Sequence, residues 1–284
     1  MARLPGNSPL TDRTGRLLTS LAAVNRLEET EKESIYARLL PERLCRLLDI
    51  RPGTLFSSTG SRLVTIIAPQ GLSLVRIEVR ATPEAPDTVF FAEMADTQFH
   101  QMELSFCIIS DPAAERFDVD IDEHGTINWF ASHGRNIPEE IRSFRAGLFP
   151  NQTRNGLRLF AEFFPIFERF TDSLGIDMIV AEPLTYDNAI RYEKYGFDYL
   201  RGKRLMLEID REFQPGGRYF SRLDGSTPFR QPGMERTVRG RSWAIHDGVL
   251  DEPWDDIHIY KMIGVDAAIN TFPERQQERR DCGT

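Results

Sequence analysis

Apolar residues recur along this chain with two periods, and the changes of period divide it into blocks. Between Thr14 and Leu27, Leu17, Leu18, Leu21 and Val24 return at helical spacing and predict a helix. A second helix is predicted from Glu29 to Leu40. A third starts at Pro41, whose fixed φ suits a first helical position, with Leu44, Leu47 and Leu48 turned inward. Arg51-Pro52-Gly53 closes this block, and residues 1–12 read as a loose arm. From Leu63 the period drops to two. Leu63 to Ala68 is a β-branched run, and Val75, Ile77 and Val79 alternate with Arg76 and Glu78 as in a strand with one wet face. Thr88 to Ala92, Met102 to Ile109, Arg116 to Ile121 and Thr126 to Phe130 are predicted as further strands joined by short polar turns.

After Pro138 the helical period returns. A short helix is predicted over Glu139 to Ala146 and a longer one from about Arg154, with a stripe of Phe160, Phe163, Phe164, Phe167 and Phe170. Pro165 lies inside that stripe and is expected to kink or split the helix. Asp177 to Ala181 reads as a short buried strand, Asn188 to Gly196 as a helix and Leu205 to Ile209 as a last strand. A meander of strands followed by helix–strand–helix–strand predicts an α+β fold, with a mixed, mainly antiparallel sheet flanked by helices.

The most informative stretch is Ala181 to Phe197, AEPLTYDNAIRYEKYGF. Asn188 fits a cap or first turn, and Gly196 stands where a helix ends in the left-handed region. This segment resembles the second conserved segment of the GNAT superfamily of acyl-CoA N-acyltransferases, where an asparagine and an alanine precede Tyr-Glu-Lys-x-Gly-Phe. Tyr192-Glu193-Lys194-Tyr195-Gly196-Phe197 matches that hexad in full, although Asn188 stands closer to the tyrosine than the family spacing. The order of elements over about 63–212 agrees as well. The resemblance implies a GNAT-like core over 56–212, a helical N-terminal extension over 1–55 and an irregular, wrapping C-terminal extension over 213–284.

By the same resemblance an acyl-CoA, or an acyl carrier protein, is the expected co-substrate, and a small-molecule or peptide amine the acceptor. In the family, pyrophosphate rests on a Gln/Arg-x-x-Gly-x-Gly/Ala loop and the helix start after it, where free backbone N–H groups and the helix dipole favour an anion. The matching segment here contains Gln152, Thr153, Arg154, Asn155 and Gly156. Only Gly156 fits the pattern: Thr153 replaces Gln or Arg, and Arg158 replaces the second small residue. The plain alternative is a capped helix start with two solvated arginines. Asn188 completes the residues that the resemblance places near the cofactor.

The resemblance also makes Tyr192 the candidate general acid, since a phenol and a departing thiolate have comparable basicity. Its alternative is a helix tyrosine packed on the sheet. Glu93 and Glu103, on or beside central strands, are candidates for the base, and equally read as the wet face of those strands. His100 lies between them in sequence, and His258 is close to Asp255, but neither group has the tight spacing of a metal site, so no metal is expected. Asp118, Asp120 and Asp122 resemble a calcium loop, but Glu123 stands where that loop needs glycine, and the alternation reads as an acidic strand face.

Charge and composition act mostly by exclusion. With 43 Asp and Glu against 35 Lys and Arg, the net charge of −8 argues against a nucleic-acid surface. No apolar run is long enough to span a bilayer, and the N-terminal residues lack the apolar core of a signal peptide, so a cytoplasmic protein without a membrane partner is expected. Cys45, Cys107 and Cys282 show no paired spacing, and Cys107 reads as a buried small hydrophobe. Beyond Phe213, turn signals and arginines predominate. That region is expected to wrap the preceding domain or the second subunit of a homodimer, anchored by Phe229, Trp243 and Trp254; as a flap it would place Arg239, Arg241, His246 and Asp247 at a pocket. The rival to the transferase is a non-catalytic GNAT-like ligand-binding or assembly protein that has lost CoA. A third reading is a metal enzyme using His100 with its neighbouring glutamates.

Overall fold

The computed structural model describes residues 4–122, 125–127 and 134–273, and its class is α+β, as expected. The chain passes through short helices α1 (Leu21–Val24), α2 (Glu29–Tyr36, continued by a 3-10 turn, Ala37–Leu39) and α3 (Glu42–Leu47). Strands β1 (Val64–Ile67), β2 (Leu74–Arg80), β3 (Thr88–Asp96) and β4 (Met102–Ile109) follow. Helices α4 (Ile137–Arg145) and α5 (Phe160–Ser173) lead to β5 (Met178–Ala181), α6 (Tyr186–Glu193) and β6 (Asp198–Arg201). Then come α7 (Lys203–Glu212), α8 (Arg218–Ser221), a 3-10 turn (Met234–Arg236), α9 (Val238–His246) and β7 (His258–Met262). The chain divides into two units built from interleaved segments. Unit 1 is Met1–Ala114, Asn155–Ala181 and Met262–Val265; unit 2 is Glu115–Arg154, Glu182–Lys261 and Asp266–Thr284.

In unit 1, β1 to β4 form an antiparallel meander, and β5 adds to β4 in parallel. The alternation read from β2 holds: Val75, Ile77 and Val79 are buried, while Arg76 and Glu78 stand half-exposed. Helix α5 closes the core with its phenylalanine stripe. Phe163 meets Phe90 edge-on with centroids 5.2 Å apart, and Phe170 reaches Tyr36 at 6.1 Å. Asn25, at the C-terminal cap of α1, donates to the carbonyls of Leu72 and Leu74 at 2.6 and 2.8 Å, and its own oxygen accepts from the Tyr36 hydroxyl at 2.6 Å. That buried polar group is thus fully used in tying the first helices to β2.

Unit 2 is built around α9. Trp243 is fully buried, stacks on Phe229 at 4.8 Å and donates its indole N–H to the Leu148 carbonyl at 2.9 Å. Arg241 is also fully buried. It is held by Asp210 at 2.8 Å and the Glu235 carbonyl at 2.7 Å, between the rings of Phe213 and Phe272. Gly240 is required at its position, because a Cβ there would stand 2.2 Å from the Met234 carbonyl oxygen. Strands β6 and β7 pair antiparallel, Tyr199 opposite Ile259.

Several expectations are corrected by the structure. Leu205–Ile209 lies in helix α7, where Met206, Ile209 and Phe213 are buried and Leu207 is exposed, the helical period rather than alternation. Arg116–Ile121 is a loop: Arg116 turns back to pair with Asp118 and Asp120, and Phe117 and Val119 bury beside Leu148. Helix α5 starts at Phe160 and not near Arg154, since Arg158 takes a φ of +56° that no right-handed helix includes. It runs unbroken through Pro165, which removes one backbone bond on the exposed side while the buried rings on the other side hold the helix together. Cys107 is half-buried, not buried. The stretch from Phe213, expected to be irregular, supplies α8, α9 and β7. His124, His133, Glu123, Cys282, the end of the Thr126–Phe130 strand and the chain after Pro273 lie outside the described residues. Among the described residues no helix is long and apolar enough to cross a membrane.

Candidate functional site

The hexad Tyr192–Phe197 forms the end of α6, as its glycine predicted. Gly196 has a φ of +83°, its N–H bonds the Glu193 carbonyl at 3.0 Å, and the Phe197 N–H reaches the Tyr192 carbonyl at 3.4 Å. Thr185 occupies the cap position, which puts Asn188 in the first turn. Tyr192 is half-buried, with its ring 4.9 Å from that of Phe197.

The glutamate of the hexad has a structural task. Buried Glu193 accepts from the Tyr199 hydroxyl at 2.5 Å, the Thr271 hydroxyl at 2.6 Å and the Thr271 N–H at 2.9 Å. Burial, together with the Glu193 charge beside it, pushes the Tyr199 phenol well above its usual range, so Tyr199 remains a donor at all ordinary pH.

In unit 1, Glu93 and Glu103 share the sheet face turned away from buried Met94, Met102 and Leu104. Arg76 holds one oxygen of Glu93 through Nε at 2.8 Å and Nη2 at 2.7 Å. Glu103 accepts from the Ser105 hydroxyl at 3.0 Å. Ser105 itself is the extra residue of a β-bulge: Leu104 pairs with Met94 and Phe106 with Glu93, leaving Ser105 between them. Just there the β4–β5 ladder ends. Met102 pairs with Ile179 and Glu103 with Val180, and β4 then continues to Ile109 without further pairing to β5. His100 does not join the glutamates in this face; it is an exposed residue of the β3–β4 turn, with φ +56°.

The expected phosphate loop has other work. In unit 2, Gln152 accepts the Phe149 N–H through its side chain at 2.9 Å, and the Thr153 carbonyl accepts the Phe117 N–H at 2.8 Å. In unit 1, the Asn155 carbonyl accepts from Asp111 at 2.7 Å, and a Cβ on Gly156 would lie 3.0 Å from the Ile109 carbonyl oxygen. Close packing on the end of β4 therefore accounts for that glycine. The division between the units falls after Arg154. At the start of α5 the first turn carries Glu162, whose carboxylate accepts the Arg43 N–H at 3.0 Å.

Of the residues assigned to a flap, two arginines are structural. Arg241 is the buried core cation described above, and Arg239 donates to the Phe144 carbonyl at 3.0 Å while lying over its ring. Asp247 takes Arg135 at 2.8 Å, Arg230 at 2.9 Å and the Thr227 hydroxyl at 2.8 Å. His246 borders a cavity of unit 2 and bonds Glu140 through Nε2 at 3.0 Å. His258 meets Glu182 and Asp256, at 3.0 and 3.2 Å, and not Asp255. Among the described residues, no group of three or more His, Cys, Asp and Glu is arranged to hold a metal ion. The bulge at Ser105 was missed in the sequence, because it depends on which segments face each other, and of the four residues expected at a pocket only His246 borders this cavity. Comparison of the chain with protein-family models, with curated proteins and with solved structures found no match.

Proposed function

We propose that the protein transfers an acyl group from an acyl-CoA, or an acyl carrier protein, to an amine, with the thioester arm seated along β4 where it parts from β5. One observation carries this reading: the parallel ladder stops at Glu103–Val180 with the bulge at Ser105 beside it. A strand edge released from its partner offers backbone groups to an extended ligand, and a pantetheine arm with its amide groups is such a ligand. The hexad Tyr192–Phe197 supports the reading by resemblance to the GNAT superfamily.

In the step, the amine nitrogen attacks the thioester carbonyl, the C–N bond forms and the C–S bond breaks. Glu103 is preferred as the base that takes the amine proton, directly or through water, because Arg76 already holds Glu93. By the resemblance alone, Tyr192 is the residue expected to supply the proton to the departing thiolate. Thermal unfolding with acetyl-CoA and longer acyl-CoAs tests the reading. A ligand at about a hundred times its Kd stabilises by about 2.7 kcal/mol, and a rise in melting temperature is expected with at least one of them. Tyr192→Phe is then expected to lower kcat about tenfold or more while leaving that shift intact; unchanged turnover rejects the acid role.

A specific observation favours a second reading, a non-catalytic relative that has lost CoA. The Glu162 carboxylate stands in the first turn of α5, where a pyrophosphate would need positive potential. An unchanged melting temperature with every acyl-CoA and with an acyl carrier protein selects this reading.

A further inference from the structure

Unit 2 contains a cavity of about 670 Å³, a volume in the range of small-molecule sites. Leu184, Ile245, Leu250 and Trp254 give it apolar walls. Trp254 is fixed there by its indole N–H, which donates to the Pro183 carbonyl at 3.0 Å. His246, in the last turn of α9, borders the same cavity with 14% of its side chain exposed.

The imidazole is tied at one nitrogen and open at the other. Nε2 meets the buried Glu140 carboxylate at 3.0 Å, and Arg135 takes both oxygens of that carboxylate through Nε, at 2.9 and 3.1 Å. Burial would raise the pKa of Glu140, but His246 and Arg135 hold it below the usual carboxylate range. An ionised Glu140 keeps the proton of the neutral ring on Nε2 and leaves Nδ1 as an acceptor. Nδ1 has no hydrogen-bond partner among the described residues, and it is not one of their buried partnerless polar atoms, so it retains accessible surface. His246 thus brings an oriented, uncharged acceptor to the cavity wall.

The rest of the wall selects against charge. Among the described residues no lysine or arginine lines the cavity, so an anion meets no cation there. The Glu140 charge is met by Arg135, and that of Asp251 at the rim by Arg218 and Arg222. Glu252 is exposed, where water screens it. Half-exposed Asn151 and Thr185 add uncharged polar groups.

We infer that this cavity binds a small neutral alcohol or phenol, its hydroxyl donating to His246 Nδ1 and its apolar body lying against Leu184, Leu250 and Trp254. Covering Nδ1 without giving it a donor costs free energy, which a hydroxyl offsets and a hydrocarbon does not. The inference concerns unit 2 alone and holds with or without acyl transfer, since binding is measured with no acyl-CoA present.

Calorimetric titration of the full chain with phenethyl alcohol, phenethyl methyl ether, phenethylamine and phenylacetate tests it. The alcohol is expected to bind about tenfold more tightly than the ether, which keeps the apolar body and lacks the O–H. The ammonium and the carboxylate are both expected to bind more weakly than the alcohol. His246→Phe keeps a ring on the wall and removes the acceptor, so it is expected to abolish the preference for alcohol over ether. Should that variant fold poorly, the ring-nitrogen NMR resonances of His246 in the parent protein decide. At mildly alkaline pH the proton is expected on Nε2, and the Nδ1 resonance is expected to move further with the alcohol than with the ether. Equal or tighter binding by the ether, the amine or phenylacetate overturns the inference, as does a proton found on Nδ1. A preference for the alcohol that survives in folded His246→Phe, or no detectable binding of the alcohol at millimolar concentration, also overturns it.

Discussion

At the scale of single residues, two positions of the hexad that carries the family resemblance have structural work. Glu193 is saturated by Tyr199 and Thr271, and Gly196 ends a helix, so two of its positions have explanations that need no substrate. Tyr192, with its ring 4.9 Å from that of Phe197, is the position to which the proposed acid role is assigned. Asp187 behaves differently from Glu193: it is 5% exposed, its Oδ1 lacks a partner among the described residues, and Arg191 comes no nearer than 3.7 Å. Burial therefore pushes its carboxyl up from the ordinary 3.8, the Arg191 charge opposing this only in part. The unfolded chain loses this proton first. Between 3.8 and the higher folded value the native state binds more protons than the unfolded state, so this group's contribution to stability falls as pH rises through that window. Asp187→Asn is expected to remove the fall: the difference in melting temperature between variant and parent should grow with pH from about 3.8 upward and then level off. A difference independent of pH would contradict the assignment.

At the scale of elements, the sequence was legible wherever one face is buried and the other wet. The alternation of β2 and the phenylalanine stripe of α5 were both read correctly, because a single period fixes which side chains meet the core. The period misled where apolar residues served two masters. In α7, Leu205, Leu207 and Ile209 alternate in sequence, yet Leu207 faces solvent and the burial follows Met206, Ile209 and Phe213. Pro165 illustrates the limit of a local rule. It breaks a backbone bond in α5, but the four buried phenylalanines, 163, 164, 167 and 170, outweigh that loss. Because its ring is exposed, Pro165→Ala restores the bond without opening a void. The substitution is expected to raise stability by about 1 kcal/mol or more, read from the midpoint of urea unfolding. A lowered midpoint would mean that the proline sets the helix direction required by the core.

At the scale of the whole molecule, the sequence suggested a central core with additions at either end, whereas contacts join distant segments into two interleaved units. The region after Phe213 illustrates why. Its turns and arginines look like a surface wrap, but Trp243 and Arg241 sit at 0% exposure, and Phe272 lies 4.5 Å from the Arg241 guanidinium. A chain cut after Glu212 loses all of these, together with Thr271, the partner of Glu193. The fragment 1–212 is expected to lose the fold of unit 2, with collapsed amide dispersion for residues 182–212 in NMR spectra; native-like dispersion there would refute the placement of α9 at that core. By itself the sequence determined the α+β class, the turn at Gly196, the buried faces of β2 and α5 and the absence of a long apolar span, since each follows from spacing within a single element. Only the tertiary structure decided where β4 leaves β5 and why Gly156 and Gly240 are glycines. Those features belong to pairs of segments far apart along the chain, and no local period encodes a distance between them.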